Sequence, residues 1–105
     1  MNTPRIPPAL LAFLVDSAQK YHPHGTIRVV LFGSRARGDN RQLSDYDIAV
    51  DADMTDAAWV RFATDIADGA PTLCGIDLVR FTAAKDGLKQ RICEDGVVVH
   101  ERKQA

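Results

Sequence analysis

Apolar residues recur along this chain at two periods, one helical and one extended, and the two alternate. Leu10, Leu11, Leu14, Val15 and Ala18 form a stripe at helical spacing behind Pro7-Pro8, where proline suits a first turn. Apart from Arg28, the run from Ile27 to Phe32 is β-branched or apolar, which predicts a buried strand. Gly33-Ser34 turns that strand sharply into a short helix, and Gly38-Asp39-Asn40 ends the helix after little more than a turn. From Asp45 to Val50 a second strand alternates Asp45, Asp47 and Ala49 on one face with Tyr46, Ile48 and Val50 on the other. Trp59, Phe62, Ala63, Ile66 and Ala67 place a helix over about 55–68 with Trp59 in the core, and Gly69-Ala70-Pro71 stops it. Cys74 to Phe81 is β-like, with Asp77 and Val79 on one face and Ile76 and Leu78 on the other. Ala84, Leu88 and Ile92 mark another helix after Thr82, closed by Asp95-Gly96 ahead of a short edge strand, Val97-Val98-Val99.

That alternation predicts an α/β domain with a mixed sheet of about four strands and helices packed on it. At 105 residues a single domain is expected, with 1–7 as an N-terminal extension and 101–105 as a tail. A net charge of −1 leaves no basic footprint, so direct nucleic-acid binding is not expected and a polymerase or DNA-binding module is disfavoured. No apolar run reaches the length of a membrane span and no signal-peptide layout opens the chain, so a cytoplasmic protein is expected. Cys74 and Cys93 lack ligand spacing and are expected to be reduced core or half-buried residues. His22, His24 and His100 are read as surface histidines without a chemical role.

The chemistry concentrates in two short stretches. Gly33 admits backbone dihedrals closed to other residues and lets an anion approach the main chain. A helix starting at Ser34 presents unpaired N–H groups and its positive dipole end, and the Ser34 hydroxyl adds a donor. Arg35 and Arg37 supply positive charge around this phosphate cradle. In the strand that follows, Asp45 and Asp47 lie on one face with Cα atoms roughly 6.5 Å apart, close enough to converge on one cation. A third acid, Asp77, stands alone in an apolar strand, either as a catalytic carboxylate or paired with a nearby Arg or Lys. Three Asp around two Mg²⁺ ions suit in-line nucleotidyl transfer, with Asp77 binding the second metal or acting as base.

Gly33-Ser34-Arg35-Ala36-Arg37-Gly38 followed by Ser44-Asp45-Tyr46-Asp47-Ile48 resembles the signature of the DNA polymerase beta-like nucleotidyltransferase superfamily, in its minimal nucleotidyltransferase branch. The resemblance runs from Ile27 to about Val99. It implies that Gly33 and Ser34 hold the nucleotide phosphates, with Arg35, Arg37 and Ser44 among the nucleotide-binding residues. Asp45 and Asp47 are then Mg²⁺ ligands, and Asp77 is the third carboxylate. ATP is the implied substrate, with AMP passed to an acceptor hydroxyl and pyrophosphate released. Small chains of this kind are typically antitoxins that silence a HEPN-domain ribonuclease toxin by attaching AMP to a toxin tyrosine. The resemblance therefore implies a toxin partner, or a second copy of the chain, to complete the acceptor site. Two alternatives stand beside this reading: an antitoxin that neutralises by binding alone, and nucleotidylation of a small molecule such as an aminoglycoside.

Overall fold

The computed structural model describes residues 5–103. Helix α1 (Pro8–Tyr21) carries proline at its first turn, as its stripe requires. Strand β1 (Ile27–Phe32) leads through Gly33 into the four-residue helix α2 (Ser34–Arg37), which Gly38 closes in the left-handed conformation at φ 87°. After a loop come β2 (Tyr46–Ala52), α3 (Asp56–Gly69), β3 (Ile76–Arg80), a single 3₁₀ turn at Phe81–Ala83, α4 (Asp86–Asp95) and β4 (Val97–Arg102). Thr55 is the N-cap of α3, its hydroxyl oxygen accepting from the Ala58 amide at 3.1 Å.

The strands form one mixed sheet in the order β3-β2-β1-β4. β1 runs antiparallel to both β2 and β4, whereas β2 and β3 are parallel and joined through α3. Both faces of the sheet are covered, unequally. On one face Ile27, Val29, Leu31, Tyr46, Ile48 and Val50 pack with Leu10 and Leu14 of α1 and Phe62 and Ile66 of α3. On the other, Val30, Phe32 and Ala49 meet only Ile92, with Leu88, Val79 and Phe81 at the margin. Burial on both sides explains why β1 reads as a continuous apolar run instead of an alternating one.

Four expectations need correction. The N-terminal extension is not free of the core: Ile6 is buried in the larger cluster. Residues 1–4 of that extension and 104–105 of the expected tail lie outside the described residues. The tail itself begins later than expected, because β4 continues to Arg102, whose guanidinium donates to the carbonyls of Gly25 and His22 at 2.8 Å. Trp59 is half-buried, not core. It lies against Phe62 with ring centroids 5.4 Å apart and lines a groove of about 410 Å³ with Ala63, Ile76 and Leu78. The cause is topological: β3 is an edge strand, so the outer stripe of α3 overhangs the sheet margin. Finally, Cys93 is exposed, since α4 buries Ile92 and turns its neighbour outward, while Cys74 is half-buried as expected.

Among the described residues no helix is long and apolar enough to cross a membrane. Leu14→Ala, which empties the centre of the larger core, is expected to cost about 2–5 kcal/mol, whereas Leu43→Ala in an exposed loop should stay within about 0.5 kcal/mol. Urea unfolding followed by Trp59 fluorescence measures both.

Candidate active site

Three strand ends and one helix start meet at a single end of the sheet. β1 runs out there into Gly33, and β2, being antiparallel to β1, begins there; β3, parallel to β2, begins beside it. The register pairs Phe32 with Asp47 and Asp47 with Asp77, so the last two are direct neighbours across strands about 4.8 Å apart. Their face is the one α4 covers, because Ala49, two residues beyond Asp47, belongs to the smaller cluster. The alternation expected of β2 is what the fold contains, with Tyr46, Ile48 and Val50 in the larger core on the opposite face.

Gly33 has φ 74° and ψ −154°, a conformation open to glycine and strained for any other residue. Space imposes the same choice, since a Cβ there would collide with the Asp47 carboxylate. The bare glycine therefore lets that carboxylate lie against the start of the cradle. Ser34 and Arg35 follow as the first residues of α2, where amides have no carbonyl one turn back to bond. The Gly33 carbonyl accepts instead from Ala36 and Arg37 at 3.1 and 3.0 Å, which fixes the turn.

Asp45 stands one residue ahead of the β2 ladder, which starts one residue later than the strand expected from the sequence and continues two residues further, to Ala52. Its carboxylate is held close to Gly75, where a Cβ would approach Oδ1 to 2.6 Å, and the Tyr46 amide donates to the Gly75 carbonyl at 2.9 Å. Sequence reasoning missed Gly75. Its signal was a lone glycine at the start of a strand, a mark of close backbone approach.

Among the described residues Asp45, Asp47 and Asp77 make no ion pair, which removes the reading of Asp77 as an acid paired with a base. Their charges act on one another instead. Burial pushes the Asp47 carboxyl above the usual range, and the nearby charges of Asp77 and then Asp45 push it further, against the pull of Arg37 and Arg91. Arg91 was not singled out from the sequence. On α4 it shares a face with Asp95 at i+4, and nothing but the packing of that helix tells which face it is.

The remaining basic and polar candidates divide. Arg37 is exposed and bonds Asp39 and Asp95 at 3.1 and 3.0 Å, tying α2 to the end of α4. Ser44 accepts from the Arg41 amide at 2.8 Å through its hydroxyl and so shapes the loop ahead of β2. Arg35, expected to face a phosphate, is engaged elsewhere: it donates to the Ser44 carbonyl at 2.9 Å and the Gln42 carbonyl at 3.0 Å. Its guanidinium also stacks 3.9 Å above the Tyr46 ring.

Among the described residues no three His, Cys, Asp or Glu side chains already form an ion cage. The donor set nevertheless fits a hard divalent cation: three carboxylates without an ion pair at one end of the sheet, no thiolate or imidazole among them, and a repulsion at Asp47, only partly offset by Arg37 and Arg91, that a cation would relieve.

The sequence model described as polymerase beta, nucleotidyltransferase matches residues 16–105. No curated protein matches the sequence at a significant level. Among solved structures, the chain is similar to a toxin–antitoxin crystallised with AMP-PNP, at 25% identity over 85% of this chain and 71% of that one, TM-score 0.66. A Tyr-to-Ala mutant of the toxin–antitoxin MntA-HpeT is 27% identical over 83% of this chain and 68% of that one, TM-score 0.62. A mutant of the same pair with two Asp-to-Glu changes shares the fold, at 22% identity over 83% and 69%, TM-score 0.63.

Because Asp47 carries a raised pKa, the sign of its contribution is destabilising. The penalty is absent below the usual carboxylate range, grows as pH rises through the raised value, and is full above it. In EDTA at neutral pH, Asp47→Asn should therefore melt higher than wild type, with the difference vanishing in acid. Gly33→Ala should lose about 1–3 kcal/mol in urea unfolding, since it meets both the strained φ and the Asp47 carboxylate.

Proposed function

Since the chain belongs to the polymerase beta nucleotidyltransferase family, we propose that it transfers AMP from ATP to a hydroxyl of a partner protein and acts as an antitoxin. The observation that carries the catalytic part is the side-by-side placement of Asp47 and Asp77, with Asp45 adjacent, against a glycine turn that opens a helix. The toxin–antitoxin character of the similar structures, one of them crystallised with AMP-PNP, supports the biological part. The acceptor on this reading is a tyrosine of a HEPN-domain toxin, met in the cytoplasm.

Asp45, Asp47 and Asp77 would hold two Mg²⁺ ions, which when bound neutralise triphosphate charge and acidify the attacking hydroxyl. Gly33 lets the Asp47 carboxylate lie against the turn, and on this reading the Ser34 hydroxyl and the first amides of α2 donate to a phosphate oxygen. The acceptor oxygen attacks the α-phosphorus as the bond to the bridging oxygen of the β-phosphate breaks, so pyrophosphate leaves in line. The proton released from the hydroxyl goes to a carboxylate oxygen of Asp77 or to water. Arg37 can turn from Asp39 and Asp95 toward the triphosphate, its ion pairs being partly exposed and weak.

Purified protein incubated with α-labelled ATP, Mg²⁺ and the toxin encoded beside it should label the toxin, and Asp47→Asn should lower the rate at least about 100-fold. Labelling that persists in Asp47→Asn would end the catalytic reading. An Asp45→Asn, Asp47→Asn double variant that still neutralises the toxin in cells would instead favour neutralisation by binding alone.

A further inference from the structure

Arg35 joins three parts of the site that arrive from different places in the chain. It belongs to the cradle helix α2, immediately after Ser34. Its Nε donates to the Ser44 carbonyl at 2.9 Å, one peptide unit ahead of Asp45, and its Nη2 donates to the Gln42 carbonyl at 3.0 Å. The same Nη2 lies 3.4 Å from the Cys74 sulfur, one residue ahead of Gly75, whose missing side chain makes room for the Asp45 carboxylate. Beneath, the guanidinium plane rests 3.9 Å from the centre of the Tyr46 ring, and Tyr46 is buried in the larger core.

We propose that Arg35 is a positioning residue, a fork that holds the loop ahead of β2 and the loop ahead of β3 against the cradle and thereby sets where Asp45 stands relative to Asp47 and Asp77. The proposal rests on the nucleotidyltransferase reading for its purpose, since it makes Arg35 a support for metal-holding carboxylates rather than a phosphate ligand. Planarity is the property that matters. A guanidinium can bond two carbonyls along its edge while stacking on a ring through its face, and an ammonium cannot do both. Supports of this kind are typically worth 10–100-fold in metal affinity.

The test uses the full chain with Mn²⁺ as the metal probe, read by electron paramagnetic resonance, and a fluorescent trinitrophenyl-ATP in EDTA as the triphosphate probe. Arg35→Ala should weaken Mn²⁺ binding by about tenfold or more. Trinitrophenyl-ATP binding without metal should change less than about twofold, and hydrogen exchange at the Tyr46 amide, which donates to the Gly75 carbonyl, should quicken. Arg35→Lys, which keeps the charge and loses the fork, should follow Arg35→Ala; it also carries the test should the alanine variant fail to fold. Weakened trinitrophenyl-ATP binding with Mn²⁺ affinity intact would overturn the proposal and return Arg35 to the phosphates. Wild-type behaviour of Arg35→Lys would overturn it as well, since charge alone would then suffice. The underlying reading fails separately, if wild type and Asp47→Asn bind Mn²⁺ alike; in that case unaltered exchange at Tyr46 in Arg35→Lys still overturns the fork.

Discussion

A slip of one residue between β2 and β3 would turn Asp77 onto the face that α1 and α3 cover and part it from Asp47. What forbids the slip is the unequal burial of the sheet. Tyr46, Ile48 and Val50 fill the larger core, Ile76 and Leu78 pack at its margin, and both sets keep their places only in the observed register. Residues of the opposite set then fall on the thinner face, where α4 covers Val30, Phe32 and Ala49. Asp47 and Asp77 lie on that face, paired across β2 and β3. Their assembly follows from apolar packing, with no attraction of their own to draw them together, and their mutual repulsion is a cost that the core offsets.

That cost has a direction. Asp47 sits in the middle strand of the three, flanked by β1 and β3, so burial raises it first and the neighbouring charges add to the effect. Asp77 belongs to an edge strand and stays exposed. The site is thus graded from a half-enclosed carboxylate beside the glycine turn to an open one at the sheet margin. On the proposed reading the gradient separates the two substrates, with the triphosphate lying toward β1 and α2 and the acceptor hydroxyl arriving from the β3 side. On that reading an acceptor of protein size reaches Asp77 from the open side, because among the described residues no strand lies beyond β3.

Features decided by a residue and its immediate neighbours were legible in the sequence. β1 was found to the residue because its apolar run is bounded by Thr26 and by a glycine turn. The start of α3 showed itself in Thr55, and the turn into α2 in Gly33-Ser34. Features decided by what the chain meets at a distance were not. Ile6 reads as part of a polar, proline-rich lead-in, yet it is buried because α1 brings it to the core. Glu101 and Arg102 read as tail because no apolar period reaches them, while β1 offers an open edge and the Gly25 carbonyl accepts from Arg102. Trp59 follows a core stripe correctly in its period, but the sheet ends beneath it. Among the site residues, the glycine and the acids carry a local signature; the duties of Arg35, Gly75 and Arg91 exist only once the loops and α4 have closed.

Arg35 and Arg37 make this division concrete, being two residues apart on one turn of helix and identical in chemistry. A sequence gives no ground to assign them differently. In the fold, α2 aims Arg35 toward β2 and β3, where two backbone carbonyls and a buried ring await a planar cation, and aims Arg37 toward the end of α4, where it meets the half-buried Asp95 as well as the exposed Asp39 of its own loop. A guanidinium bond to a part-buried carbonyl, such as that of Arg35 to Ser44 over the Tyr46 ring, is costly to break without replacement, whereas partly exposed ion pairs exchange readily with a more highly charged ligand. Of the two arginines, the one over Tyr46 is therefore suited to hold the architecture of the site, and the one beside Asp95 is suited to leave its partners for a triphosphate.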